Sequence, residues 1–274
     1  MKLRHTREML HYINKTPEPP RKSRVVEVGW LLKAQQAGFI WEEPRQFRRA
    51  DNQDPRTAKA VQNCPAVVDY ESRHFVVPCP IDLSIRLVRD KEGKPALQNM
   101  DGPQSAITGQ HLSKLVHLNG AGQWRHPQRP LIQISTPYYF VADEVCWMNQ
   151  LPPYLTYRDP PIPGVFVGGR LPIHIWPRVM MWAFEWWDTT KPLILRRGEP
   201  WFMLRFETDD PTRPVRLVEA EWTPELTEFA NGAEALTNYV RRTFSLFKTA
   251  EKRRPDKLIK RVERKAAKSE TEGA

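Results

Sequence analysis

Residues 179–187 read Val179-Met180-Met181-Trp182-Ala183-Phe184-Glu185-Trp186-Trp187, and 193–206 read Leu193-Ile194-Leu195-Arg196-Arg197-Gly198-Glu199-Pro200-Trp201-Phe202-Met203-Leu204-Arg205-Phe206. The first run carries large apolar groups on both faces, as a strand in the middle of a packed sheet does. Alternation puts Trp182 and Trp186 on one face and Met181, Ala183 and Trp187 on the other. The second run is two apolar segments about a glycine turn. It predicts antiparallel strands over 193–195 and 201–206.

Working outward, the same period of two recurs. Leu83, Ile85 and Leu87 alternate with Ser84, Arg86 and Val88, and Lys91-Glu92-Gly93-Lys94-Pro95 predicts a hairpin with 96–100. Residues 131–140 read as one strand with Ile132, Ile134, Thr136, Tyr138 and Phe140 on one face. Residues 145–148, 165–167 and 215–222 add further strands. Residues 25–41 read as strand, helix, or one after the other, with Gly38 as a C-cap. The strand set predicts a mainly β protein: an antiparallel β-sandwich or jelly-roll-like core with flanking helices.

The helices sit at the ends. Residues 6–14 form a short candidate. Asp54-Pro55 opens another, running to about Asn63, and Thr223-Pro224-Glu225 opens a third, which Asn231-Gly232 interrupts. From Ala233 onward Leu236, Val240, Phe244 and Phe247 make one apolar stripe, a C-terminal amphipathic helix. After Pro255, Leu258, Ile259, Val262 and Ala266 suggest a weaker amphipathic helix, with Lys257, Lys260, Arg261, Arg264 and Lys265 on its other face.

The chain has 274 residues and a net charge of +10. That charge sits at the ends: 1–24 is net +5, 241–274 is net +7, and 25–240 is net −2. This divides the chain into a basic, proline-containing arm (1–24), a single β-rich domain (25–247) and a basic tail (248–274), expected to be mobile. A body of this charge argues against a fold whose surface is built for nucleic acid. No apolar run approaches the ~20 residues of a membrane span. The N-terminus leads into no apolar signal core. The three cysteines give no disulfide framework and read as reduced thiols. The expected setting is host cytoplasm or a virion.

Candidate chemistry is sparse. His74 and His174 could serve a metal on a cupin-like jelly roll, but no motif assembles three or four ligands, so no metal and no cofactor is assigned. Cys64 and Cys79 sit beside prolines, which give no help to a thiolate. Phosphate-binding glycine motifs are absent. Five tryptophans fall within 176–201. They read chiefly as core, and alternatively as a platform for a sugar, base or flat ligand. Arg178, Trp186, Trp187, Arg196 and Arg197 are the candidate ligand-binding residues. In the tail, Lys252, Arg253, Arg254, Lys257, Lys260, Arg261, Arg264 and Lys265 are candidates for sequence-independent nucleic-acid binding.

The segments Asn63-Cys64-Pro65-Ala66-Val67-Val68-Asp69-Tyr70 and His74-Phe75-Val76-Val77-Pro78-Cys79-Pro80-Ile81-Asp82-Leu83, with the turn Arg196-Arg197-Gly198-Glu199-Pro200, resemble a group of uncharacterised proteins of marine bacteriophages and bacteria. The resemblance implies a phage or prophage origin and no activity. The leading expectation is therefore a non-enzymatic, β-rich binding or structural protein. It would be virion-associated or host-interacting, with virion or host proteins as partners and no membrane. The alternatives are a metal-dependent enzyme and a nucleic-acid accessory protein.

Overall fold

A computed structural model describes residues 25–33, 40–48, 61–105, 109–153, 155–156, 158–240 and 242–263. The arm 1–24, with its candidate helix over 6–14, lies outside the described residues. So do most of the expected helices at 31–37 and 54–63, the side chain of Phe244, and Arg264, Lys265 and Ala266.

The protein is mostly β. The strands are β1 (Val26–Leu32), β2 (Arg45–Gln46), β3 (His74–Pro78), β4 (Leu83–Arg89), β5 (Pro95–Asn99), β6 (Val116–Leu118), β7 (Leu131–Ser135), β8 (Tyr138–Ala142), β9 (Cys146–Leu151), β10 (Gly164–Phe166), β11 (Gly169–Pro172), β12 (Met181–Trp186), β13 (Leu193–Leu195), β14 (Pro200–Thr208) and β15 (Val215–Glu219). The helices are α1 (Pro65–Ser72), α2 (Gly109–Leu115), α3 (Pro224–Tyr239) and α4 (Thr243–Lys252). The strands form four sheets, ordered β15-β1-β8, β10-β12-β7-β6, β11-β9-β14-β3-β2 and β13-β4-β5. Pairing is antiparallel throughout except between β1 and β15, which run parallel.

All four sheets send side chains into one core cluster, among them Val28, Phe75, Ile85, Ile132, Phe140, Trp182, Leu193 and Phe202. The β15-β1-β8 sheet is buried on both faces. Trp30, Tyr138 and Phe140 point into the main core. Their neighbours Leu31, Tyr139 and Val141 point the other way, onto Leu226, Phe229 and Ala230 of α3 and onto Leu258 and Ile259. Strand alternation produces this division directly. At Gly29 a Cβ would lie 3.0 Å from Val141 and 3.3 Å from Ile259, so glycine lets the C-terminal segment close over the sheet.

Several expectations are corrected. The run 131–140 is two strands in two sheets, because Pro137 has no N–H to continue a ladder. Thr136 turns its N–H and hydroxyl onto the Met180 carbonyl at 3.1 and 2.8 Å, and the chain then leaves to pair with β1. The runs 193–195 and 201–206 do not pair with each other: β13 joins β4, and β14 lies between β9 and β3. Their turn, with Gly198 at φ +81°, docks on Cys79 instead. Residues 65–72, for which no element was expected, form a helix opened by Pro65. The hairpin of β4 and β5 is as expected. On β12 the two faces differ: Trp182, Phe184 and Trp186 are buried, whereas Met181 and Ala183 are only half-buried.

The C-terminal region also differs. Thr223 caps α3 as expected, accepting from the Leu226 N–H at 3.1 Å. Gly232 does not interrupt the helix, since a glycine inside a packed helix costs only about 1 kcal/mol. The helix ends at Tyr239, and the next begins at Thr243. From 256 to 263 the chain is not helical. The Glu221 N–H donates to the Lys260 carbonyl and the Val262 N–H to the Glu219 carbonyl, so this strap adds to the end of β15.

Candidate functional site

One concave feature lies between β12, the start of β14 and the proline-rich loop 152–163. It is a cleft of about 540 Å³. Its floor is Trp182 from β12 and Trp201 from β14, which are 1% and 3% exposed. Their rings lie 5.6 Å apart at 28°. The pairing of β14 with β3 slips between Pro200 and Phe202, so Trp201 is the extra residue of a bulge. Such a bulge re-aims a side chain. Both Trp201 and Phe202 are therefore buried, although they are consecutive in a strand.

Pro152, Pro153, Pro161 and Ile162 of the loop, with Val165 and Phe166 of β10, make the apolar walls. Proline restricts φ, so this wall is stiff for a loop. The polar groups are few: Arg158 and Asp159 on the loop, and Arg196 and Glu199 on the turn before β14. Arg158 ties the two sides together, donating to the Ile194 carbonyl and pairing with Glu199 at 3.5 Å. Among the described residues the Arg196 side chain has no hydrogen bond or ion pair, while its carbonyl accepts from the Glu199 N–H at 3.3 Å.

Three indole nitrogens are buried without an acceptor: those of Trp30, Trp182 and Trp201. Two of the three belong to the floor of this cleft. An unsatisfied buried donor costs about 1–3 kcal/mol, and neither indole N–H is accessible from the cleft, so the cost is borne inside the core. The Cys79 thiol, also at the cleft, is pushed up to about 12 by burial and is therefore protonated at neutral pH.

The five candidate ligand residues do not come together. Arg196 lines the cleft. Trp186 is fully buried in the core, and its N–H is satisfied by the Asp188 and Lys191 carbonyls at 3.0 and 3.2 Å, which removes it as a platform. Trp187 lies on a separate surface patch, 56% exposed, with its N–H on Glu185 at 2.8 Å and Arg129 over its ring. Arg178 covers Trp176, which packs with α3 and α4. Arg197 is exposed and its backbone N–H donates to Asp82 at 3.2 Å. Sequence reasoning missed Arg158 and Glu199, and held Trp182 and Trp201 only within the five-tryptophan cluster, read chiefly as core. One signal was available. The segment about Cys79 and the turn about Gly198, which carry the resemblance, bond to each other: Cys79 N–H to the Glu199 carbonyl and Gly198 N–H to the Cys79 carbonyl, both 2.8 Å.

The histidines are engaged separately. Fully buried His74 donates from Nδ1 to the Tyr70 carbonyl at 2.8 Å, and His174 Nδ1 lies 2.9 Å from the Cys146 carbonyl. Burial holds both below the usual histidine range. Among the described residues no three His, Cys, Asp or Glu side chains converge as metal ligands do.

The basic tail is corrected up to Glu263. Arg254 is spent internally, donating to the carbonyls of His174 at 2.6 Å and Asp143 at 2.7 Å. Arg261 pairs with Glu27, and Lys260 pairs with Glu221 at 2.7 Å. Leu258 and Ile259 are buried, and their N–H groups donate to Asp143 Oδ1 at 2.6 and 3.2 Å. Carboxylates of the acidic body thus neutralise part of the basic end. Lys252, Arg253 and Lys257 remain exposed. No helix among the described residues is long and apolar enough to cross a membrane. No protein-family model matches the chain, and no curated protein or solved structure is similar enough to lend it a function.

Proposed function

We propose that the protein is a binding protein whose ligand is a small molecule held in the cleft between β12, β14 and the loop 152–163. The observation that carries this reading is the cleft itself, lined mainly by apolar groups about Trp182 and Trp201 with few polar side chains. The cleft also has the size and composition of a ligand site, which is largely apolar with few polar groups. The sandwich or jelly-roll arrangement belongs to this proposal as its scaffold. So does the phage or prophage setting, which rests on the sequence resemblance alone. The exposed lysines and arginines of the C-terminal end remain available to a partner, but they are divided by residues tied into the body.

The test is a screen of small planar compounds by ligand-observed NMR, against the wild type and against Val165→Trp. Val165 is half-buried on the wall, so an indole there fills the cleft from one side. Ligands of the wild type are expected to lose binding to the variant while its melting temperature holds. Ligands that bind both proteins alike would place the site elsewhere.

A further inference from the structure

We infer that the outer face of the β11-β9-β14-β3-β2 sheet binds single-stranded nucleic acid, independently of the cleft. Strand register builds this face. Met148 of β9, Leu204 and Phe206 of β14, and Phe75 and Val77 of β3 all point into the main core. Their neighbours point the other way. Arg170 of β11 stands opposite Asn149 of β9, Asn149 opposite Arg205 of β14, and Trp147 opposite Glu207. These five side chains are half-buried or exposed, so the middle of the face is open. α1 borders it, with the Tyr70 ring 4.8 Å from that of His74. At the sheet edge Arg45 of β2 stands opposite Val76, and Arg48 lies beside it.

Two guanidinium groups on this face lie against aromatic rings. That of Arg170 is 3.9 Å from the Trp147 ring centre, and that of Arg205 is 5.6 Å from the Tyr70 ring centre. The strand spacing sets the two arginines about 10 Å apart, with Asn149 between them. A ring behind a guanidinium restricts its plane, and such a plane is a platform on which an unpaired base stacks. Glu207 holds Arg170 further, accepting from its Nε at 2.9 Å. The Asn149 amide donates to the Arg205 carbonyl at 3.4 Å, which leaves its oxygen for a base edge.

Charge selects an anion. Glu207 is taken up by Arg170, and Asp69 of α1 by Arg73 at 3.0 Å. Among the described residues the side chains of Arg205, Arg45 and Arg48 make no hydrogen bond or ion pair. Glu71 of α1, which acts on His74 together with Arg205, offsets one of the three. The face is therefore positive, although residues 25–240 are net −2. Geometry then selects a single strand. A duplex keeps its bases in its own stack and offers a flat sheet only phosphates. An acidic peptide would meet the charge and leave the platforms unused. A single strand uses both, with bases on Arg170 and Arg205 and phosphates on Arg45 and Arg48. From β11 to β2 the sheet spans about 20 Å, room for a few nucleotides.

The experiment measures fluorescence anisotropy on the full chain, with a labelled oligothymidylate of about 15 nucleotides and its duplex with oligoadenylate. Arg170→Ser and Arg205→Ser should each weaken single-strand binding about tenfold, as loss of one stacked base does, and leave duplex binding by the basic ends unchanged. Arg205→Lys keeps the charge without the plane, so it should retain the salt slope and still lose most of that affinity. Arg45→Ser should lower the slope by about 0.7. Wild-type binding by both serine variants would assign all affinity to the basic ends and overturn the proposal. Equal losses for single strand and duplex, or full rescue by Arg205→Lys, would reduce the face to a phosphate contact and overturn it as well. So would polyglutamate that displaces the strand as effectively as unlabelled oligothymidylate, since the face would then fit an acidic protein. A wild type that binds no single strand also overturns it. Melting temperatures check each fold; should Arg205→Ser unfold, Arg170→Ser and Arg45→Ser on the outer strands still decide.

Discussion

Replacing Arg254 with alanine should unfasten the C-terminal strap from the body. The guanidinium makes two short bonds to main-chain carbonyls of other segments, His174 at 2.6 Å and Asp143 at 2.7 Å. Bonds to charged groups contribute about 1.5–3 kcal/mol each, and these carbonyls regain some water when the side chain is lost. The lower end applies, giving about 3 kcal/mol for the pair. The loss cannot much exceed what the strap itself contributes, which includes burial of Leu258 and Ile259 at about 1.5–3 kcal/mol each. Opening should therefore be local. Hydrogen exchange at the amides of Leu258, Ile259 and Val262 is the direct assay, since these donate to Asp143 and Glu219. Exchange there should accelerate about a hundredfold, roughly 3 kcal/mol, with the β12 amides little changed. Trypsin should cut at Lys257 and Lys260 much sooner than in the wild type. Arg254→Lys should be intermediate, because a compact ammonium cannot span both carbonyls as a planar fork does. If Arg254→Ala alters neither exchange nor trypsin cleavage, the strap is not held by this residue. The contacts to Asp143 and Glu219 and the burial of Leu258 and Ile259 would then be what holds it.

Trp182→Ala and Trp186→Ala should each destabilise the protein by about 3–5 kcal/mol in urea unfolding, since both rings are buried; near-wild-type unfolding would contradict their place in the core. Buried His74 and half-buried His174 are both held below their usual value of 6.5, so the unfolded chain binds protons that the folded chain refuses. Stability should therefore fall as pH drops below about 6.5, and His74→Asn should flatten that part of the pH profile measured by thermal unfolding. With Cys64 exposed, and Cys79 and Cys146 buried with thiols raised to about 12, iodoacetamide at neutral pH should modify one cysteine per native chain and three after unfolding, as read by mass spectrometry. Gly29→Leu should loosen the same strap as Arg254→Ala, because its side chain would meet Val141 and Ile259; unchanged exchange at Ile259 would count against that contact.

What the sequence determined by itself was the kind of local structure. Period-two runs such as 83–88 became strands because alternation follows from backbone geometry and needs no partner to be read. Thr223-Pro224 began a helix because capping and a fixed φ act within one turn. Large aromatics at 182, 184 and 186 were legible as core for the same reason. The pairing of those strands was decided only by the tertiary structure. Nothing within 193–206 indicates that β13 goes to β4 and β14 to β9 and β3, because the competing partners lie far along the chain. The basic end is the clearest case. Its charge run reads as solvated when taken alone, yet Glu27, Asp143 and Glu221, distant in sequence, hold it to the sheet. The cleft follows the same logic. Trp201 was one aromatic among several until a bulge in β14 set it beside Trp182, and Glu199 was a turn residue until Arg158 crossed the loop to meet it. A binding site is a set of distances between remote residues, and those distances are fixed by packing, which no local pattern encodes.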